Sequence, residues 1–580
     1  MINKDLSEVQ KQIVTAPVGA SIVTAGAGSG KTRVLTNRIL YLLENGFAGH
    51  EILALTFTNK AAGEMRRRIE EGLGGECKVY LGTFHAWCAR FLRMNIGPPY
   101  TNNFTIYDAK DSAKIMKEVD DDPILYAKKL EASNAIDFNG LLEKTHEILS
   151  TNQVVREHIQ KTLRYILVDE FQDTNEIQYN IVKILAGYHK NITVVGDEDQ
   201  CIYSWRGANI GNLESFLKDF PDVKIFKLEQ NFRSAKNIVD MANLLISHNT
   251  TRLDKVLHSN LPSGKIRLNS YFDERHEARS VAMQIASERN NRGTPYKNFA
   301  VLMRMNATTR NFEEEFRSFG IPHLIWGGFK FYERAEIKST INYLRILCNP
   351  KDEAAVVGAL GWPKRGVGET TIAKLRDHAT ATGVCLLDAA LNPPKLPAKA
   401  SQGLLLFKET VASLKNMYKQ TTLGVLAKSL ISTIGIEEFL DTGKEEDASR
   451  LENVRQLEIA IKSWAHEHPF ATLDDYLQNV ALVQDTDTDI NDAVVISTIH
   501  SAKGLEFDTV FIVALEDGIF PTERSKESYA QHQEERRLLY VAATRAMRNL
   551  YLSHAESRYF MGSRNIMQPS PFLEECGLLD

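Results

Sequence analysis

The sequence predicts an α/β fold of two parallel-sheet halves, each interrupted by a mainly helical insertion. Three observations carry that prediction. Short apolar runs end in polar, chemically loaded strings: SIVTAGAGSGKT at 21–32, YILVDEFQD at 165–173 and ITVVGDEDQ at 192–200. A buried strand that delivers its reactive residue at the carboxyl end is the habit of parallel α/β sheets, where ligands bind beyond the strand ends. Lys31 and Asp169 lie 138 positions apart, far more than one strand–helix–strand step of about 30 residues needs. A segment is therefore inserted between them. The strand pattern pauses again after 313–347 and resumes at VVISTIH, 494–500, which implies a second insertion.

The first string reads as strand, glycine loop and helix in order. Ser21 to Thr24 form a short buried strand, and Val34, Leu35, Ile39 and Leu40 mark the helix. Between them Ala25, Gly26, Ala27, Gly28, Ser29, Gly30, Lys31, Thr32 and Arg33 form a phosphate loop. Its glycines let backbone N–H groups turn around phosphate oxygens, and the helix directs its positive end at the same oxygens. Lys31 would reach the β- and γ-phosphates of ATP, and Thr32 would hold Mg²⁺. The first position of the pattern is Ala25 in place of glycine, which fits if the backbone there keeps φ negative.

The second string ends in two adjacent acids. Asp169 is placed to complete the Mg²⁺ shell opposite Thr32, and Glu170 to orient and deprotonate the attacking water. In the third string, uncharged Gln200 is suited to sensing the γ-phosphate. Tyr203, Trp205 and Arg206 follow it closely, and aromatics beside an arginine suit stacking on exposed bases. The competing reading of Trp205 is a core residue.

Composition adds exclusions. The chain has 580 residues, 43% hydrophobic and 25% charged, with a net charge of −5. Several domains are expected at this length. No apolar run approaches the about 20 residues that span a bilayer, and the start carries no apolar signal core. A cytoplasmic, non-membrane protein is expected. None of the six cysteines pair as CxxC, which argues against zinc or iron–sulfur sites. The stretch from Lys60 to Arg93 is locally basic, and the acidic run Glu118 to Asp122 reads as a surface turn.

Taken in order, the strings resemble the UvrD/Rep/PcrA family of superfamily 1 DNA helicases over nearly the whole chain. Leu6 and Gln10 resemble the adenine-reading Q motif, with Ser7 where Asn is usual. LTFTNKAAGEM (55–65) and GTFHAW (82–87) resemble the two early DNA-contact motifs. VDEFQDTN (168–175) and VGDEDQCIYSWRGA (195–208) resemble the next two. LEQNFRS (228–234), with Phe232 where many members carry Tyr, STIHSAKGLEFDTVFI (497–512) and EERRLLYVAATRA (534–546) complete the set. Gly327-Gly328 and the segment from Glu333 to Lys338 also resemble the family.

The resemblance implies two RecA-like motor domains. The first spans 1–88 and 161–234, with a helical insert at 89–160. The second spans 235–348 and 490–580, with a helical insert at 349–489. It implies that Gln10 reads the adenine edge, Phe232 stacks on its face, Glu506 contacts the ribose, and Arg233 and Arg545 are arginine fingers; a surface salt bridge is the competing reading of Arg545. Phe57, Phe84, His85, Tyr203 and Trp205 are expected to face the bases of a single DNA strand, and Asn59 and Arg206 are also expected to contact DNA. Thr83, His500 and Lys503 are expected to hold its phosphates. Gly366 and Gly368, helped by Lys364 and Arg365, resemble a hairpin that grips duplex backbone; the alternative there is a plain glycine turn with Thr370 as helix N-cap. The implied activity is 3′→5′ unwinding driven by ATP and Mg²⁺, on single strands and single/double-strand junctions, by a chain that is monomeric in isolation, in DNA repair or replication. The alternative is a translocase that strips bound proteins and unwinds little. No protein partner is legible.

Overall fold

The computed structural model describes residues 5–250, 252, 255–326, 332, 334–442, 445–482, 492–560 and 563–579. Gly327, Gly328 and Glu333 lie outside them. The chain divides into two compact units. One comprises Met1–Phe84, Leu149–Gly328 and Gln484–Asp580; the other comprises His85–Ile148 and Phe329–Val483.

The larger unit contains two parallel sheets. The first is built from β1 (Ala20–Ala25), β2 (Ile52–Thr56) and β3 (Tyr80–Thr83). After β4 (Thr105–Tyr107) and β5 (Ala135–Asp137) of the smaller unit, it is completed by β6 (Tyr165–Val168), β7 (Ile192–Gly196) and β8 (Lys224–Leu228). Their spatial order is β3-β2-β6-β7-β1-β8, all parallel. The central strands β1, β2, β6 and β7 are buried almost throughout and mostly apolar, as a parallel sheet covered on both faces requires. In register, Leu55 pairs with Val168, Val168 with Val194, and Thr24 with Gly196. The phosphate loop after β1, Asp169 after β6 and Asp197 after β7 therefore leave the sheet at one edge.

The second sheet follows the short strands β9 (Gln230–Asn231) and β10 (His258–Ser259). Its members are β11 (Lys265–Asp273), β12 (Phe299–Met303), β13 (His323–Trp326), β14 (Val494–Thr498), β15 (Phe507–Ile512) and β16 (Ala546–Phe560). They run parallel in the order β11-β16-β15-β12-β14-β13, with β17 (Ser563–Ile566) antiparallel to β16. The helix Tyr529–Ala543 buries Leu538, Leu539 and Val541 against this sheet and ends two residues before Arg545.

The smaller unit is mainly helical. Its core gathers Ile337, Leu344, Val356, Leu375, Phe407, Leu430 and Val454 from successive helices. Three departures from the sequence reading concern its limits. Helix Gln153–Thr162 belongs with the first sheet, where Gln160 donates to the carbonyl of Ile184. Helix Ala335–Cys348, expected in the second motor half, packs into the smaller unit's core. Within 123–138, part of the expected helical insert, the helix stops at Ala132: Asn134 takes a left-handed φ of 44°, and Ala135–Asp137 pairs as β5 with β4. Asp120 and Asp121, also left-handed, form the turn expected of the acidic run. Among the described residues, no helix is long and apolar enough to cross a membrane.

Candidate nucleotide cleft and strand surface

The loop between β1 and the helix that follows it is held by backbone geometry. Gly28 (φ 66°) and Gly30 (φ 85°) are left-handed, and Gly30 caps a helix that starts at Lys31 (Lys31–Glu44). A Cβ on Gly28 would sit 2.8 Å from Cβ of Arg233, so only glycine fits. Ala25 is the last residue of β1 and is not among the residues of positive φ, which is why alanine replaces glycine there without strain. Phe232 N–H donates to the Gly28 carbonyl at 3.0 Å, and Asn231 Nδ2 to that of Ala27 at 2.8 Å. Thr32 and Arg33 are half-buried in the first helical turn.

Gln10 approaches from the preceding helix (Glu8–Val14). Ser7 is its N-cap: Ser7 Oγ accepts from Gln10 N–H, and Gln10 Oε1 accepts from Ser7 N–H, a reciprocal capping box. Serine thus does the capping work that asparagine does equally well. Gln10 Nε2 donates to the Ser29 carbonyl at 3.0 Å, tying this helix to the phosphate loop. One N–H and one lone pair of the buried carboxamide remain for an adenine edge. Phe232 is half exposed, with its ring open to a stacking partner.

Across the loop stand the acids of β6. Glu170 Oε1 lies 3.6 Å from Lys31 Nζ, and its backbone is left-handed at φ 50°, a strained conformation for a non-glycine residue of the kind that clusters at functional sites. Burial raises the Asp169 carboxyl, and the neighbouring Glu170 raises it further. Burial works the same way on Glu170, but Lys31 and Lys503 outweigh it and hold that carboxyl low. Asp173 is pushed up to about 6 by burial, with Lys503 opposing. Gln172 links the cluster, donating to Glu170 Oε2 and accepting from Asp197 N–H at 2.8 Å.

Side chains of the second sheet complete the cleft. Arg545 is buried, which rules out a surface salt bridge. Its Nη2 donates to Gln200 Oε1 at 3.2 Å, while Nε and Nη1 donate to the carbonyls of Val541 and Leu505. Burial, then nearby Arg233, lowers the guanidinium to about 9, still cationic at neutral pH. Arg233 Nε and Glu506 Oε2 pair at 2.6 Å, so the expected ribose contact and one expected finger are each other's partners here. Lys503 also departs from expectation. Its Nζ lies 2.6 Å from Asp173 Oδ2 and donates to the Gln200 carbonyl, facing the acid cluster instead of a strand phosphate.

The strand candidates divide. Phe57 stacks on Tyr203 with centroids 5.3 Å apart, and the rings of Tyr203, Trp205 and His500 lie 6.2 to 6.4 Å from one another. Arg206 covers Trp205 at 4.6 Å. Trp205 is 64% exposed, so it is no core residue. Asn59 begins the helix after β2 and is half-buried. Thr83 and Phe84 are buried, because β3 runs into a helix whose apolar face they join; neither presents a surface to bases or phosphates. His500 is held down to about 4, by burial first and then Arg304, Arg206 and Lys503. It is neutral, a hydrogen-bonding ring and not a cation for phosphate.

In the smaller unit, His85 sits edge-on to Phe138 at 5.4 Å and is also neutral, lowered to about 4 by burial. Gly366 (φ 78°) and Gly368 are exposed, and Gly368, not Thr370, caps the helix Glu369–Thr382 with no side-chain bond. Lys364 is exposed beside them. Arg365 turns inward to the Ile434 carbonyl and Tyr343 hydroxyl, and so does not serve the hairpin's surface.

Sequence reasoning assigned no role to Asp173, Gln172, Asp197 or Asn231. All four stand inside quoted strings, but their importance lies in contacts between strings. The Ser7-x-x-Gln10 capping box was readable from spacing alone.

Two parallel sheets, one carrying a phosphate loop and the other sending an arginine to its rim, define a P-loop protein of paired motor halves. Residues 6–124 and 123–221 match the UvrD/REP helicase N-terminal domain, and residues 226–557 match the UvrD-like helicase C-terminal domain. The chain belongs to the UvrD/REP helicase family. It is similar to the ATP-dependent DNA helicase PcrA of Staphylococcus epidermidis (strain ATCC 35984), 36% identical over 99% of this chain and 86% of that protein. It is similar also to the ATP-dependent DNA helicase PcrA of Staphylococcus aureus (strain MRSA252), 37% identical over 98% of this chain and 85% of that protein.

Proposed function

We propose that the chain is an ATP-driven 3′→5′ DNA helicase that moves along single strands and splits duplex at its leading edge, in DNA repair or replication. The observation that carries this reading is one loop with two faces. Residues 197–206 present Gln200 to Arg545 on the nucleotide side and Tyr203 and Trp205 to the aromatic cluster on the other. A change at the γ-phosphate and a change at a bound base act on the same short segment. Similarity to PcrA helicases supports the substrate, and the polarity rests on family membership.

In this reading the phosphate loop and Lys31 bind the ATP phosphates, Gln10 and Phe232 hold the adenine, and Glu170 accepts the proton of the attacking water. Thr32 and Asp169 offer a hydroxyl and a carboxylate, the hard oxygen donors that Mg²⁺ takes alongside substrate phosphates. When bound, the ion neutralises charge on those phosphates. Arg545 approaches the γ-phosphate from the second sheet and Arg233 from the junction of the two halves. Arg233 then exchanges Glu506 for phosphate, freeing Glu506 for the ribose. ATP favours the closed cleft because only there do both halves contact it, and a ligand shifts such an equilibrium only through that difference. Loss of the γ-phosphate removes the bridge. In the larger unit the aromatic cluster and Asn59 are proposed to face DNA; in the smaller unit His85, Gly366 and Gly368 are. The proposed motor halves follow the two sheets, with the helical inserts in the smaller unit, and the chain acts as a monomer in isolation.

Strand displacement on duplexes with a 3′ or a 5′ single-stranded tail tests the reading, at modest salt because phosphate contacts weaken steeply with salt. Unwinding from the 3′ tail alone is expected. Unwinding from the 5′ tail alone contradicts the polarity. Hydrolysis without unwinding, together with displacement of a protein bound to the strand, replaces the helicase by a translocase.

A further inference from the structure

The loop from Asp197 to Gln200 contains three consecutive acids, all buried. A single cation reaches all of them. Lys255 Nζ lies 2.5 Å from Asp197 Oδ1, 2.8 Å from Glu198 Oε1 and 3.1 Å from Asp199 Oδ2, with 1% of its side chain exposed. Arg252 adds a two-pronged pair to Asp199. Asp197 uses its other oxygen, Oδ2, to accept from Gln200 Nε2. An ionised carboxylate only accepts hydrogen bonds, so it turns the amide nitrogen of Gln200 toward itself. The carbonyl end of Gln200 is thereby left facing Arg545, which donates to it at 3.2 Å.

We propose that Lys255 is a positioning residue for ATP hydrolysis: by pairing with Asp197 it keeps that carboxylate an obligate acceptor, and so holds the carboxamide of Gln200 in the one orientation that presents its oxygen to Arg545. The proposal rests on the ATPase reading above. The chain of contacts runs Lys255–Asp197–Gln200–Arg545, and its first and last members belong to the second half of the larger unit. The same cation therefore ties the loop to the half that supplies the arginine. A buried carboxylate keeps its charge only when paired. Burial raises Asp197, but Lys255 first and Lys31 next outweigh it and hold it low. Without Lys255, Asp197 would be left with Lys31 as its cation, next to the further acids Glu198 and Asp199, and would take up a proton more readily. As an acid it can donate to Gln200, and the carboxamide loses its preferred direction. No sequence motif marked Lys255, because its partners lie more than 50 positions away.

The test is steady-state ATP hydrolysis with saturating oligothymidylate, for Lys255→Met alone and combined with Gln200→Ala. Misplacing a reacting group by a distant substitution costs on the order of 100-fold in rate, and a loss of kcat approaching that size is expected for Lys255→Met, with KM for ATP unchanged. In the Gln200→Ala background the same substitution is expected to change kcat no further, because residues acting through one chain are not additive. Lys255→Arg is expected to restore most of the rate. If thermal melting shows that Lys255→Met does not fold, Asp197→Asn replaces it; this variant leaves Lys255 paired with Glu198 and Asp199 and is expected to show the same dependence on Gln200. An unchanged kcat, or equal losses in both backgrounds, overturns the proposal while a DNA-stimulated wild type leaves the ATPase reading standing. A wild type that hydrolyses no ATP overturns both.

Discussion

The two sheets of the larger unit contribute to the nucleotide cleft in different currencies. The first offers backbone: left-handed Gly28 and Gly30, a helix start at Lys31, and a loop pinned by Gln10 and Asn231. The second offers long side chains, each already engaged: Arg545 with Gln200, Lys503 with Asp173, and Arg233, at the junction, with Glu506. A backbone cradle binds phosphate whenever phosphate is present. A side chain that must leave or share a partner responds to what else occupies the cleft. In the proposed function the difference gives binding to the first sheet and conditional, rate-setting contact to the second.

Substitutions break that comparison in order of size. Lys31→Ala removes the side chain proposed to reach the β- and γ-phosphates, and turnover is expected to vanish in an ATPase assay. Arg545→Ala should slow hydrolysis by about 10³–10⁵, the range of arginine fingers in other phosphoryl-transfer enzymes, while a fluorescent nucleotide still binds. Unchanged hydrolysis in that variant would place the rate-setting contact elsewhere. Trp205→Ala should weaken single-strand binding by about 5- to 150-fold, the equivalent of a stacking loss of about 1–3 kcal/mol. Titration of hydrolysis against DNA reads this as a higher half-saturating concentration, and a curve superposable on wild type would remove Trp205 from the strand surface. Smallest of all, Ser7→Ala should lower stability by about 0.5–2 kcal/mol through the lost cap, whereas Ser7→Asn should melt like wild type.

How much was legible follows from where the information lies. Lys31, Asp169 and Gln200 announced themselves because each follows a buried strand within six residues, and strand ends are visible as apolar runs meeting polar strings. Gly28 and Gly30 were legible because left-handed backbone demands glycine. Thr83 and Phe84, expected at the DNA from the motif they stand in, misled: Thr83 ends β3, the next helix begins at once with Phe84, and both are buried. Lys503 and Arg365 were assigned by charge, and charge does not say which way a long side chain turns. Both face inward carbonyls, and Lys503 also an acid. The limits of the helical inserts escaped because helix Ala335–Cys348 has the same amphipathic pattern whichever core it joins.

The central claim is that one ATP site, shared by two sheets, is coupled through residues 197–206 to a strand on the aromatic cluster. The most direct measurement is ATP hydrolysis by the wild-type chain with increasing single-stranded DNA, at two salt concentrations. The account predicts a saturable rise in kcat whose midpoint moves to higher DNA concentration as salt increases. Hydrolysis that proceeds at the same rate with and without DNA would contradict it, because the loop would then carry no message between its two faces.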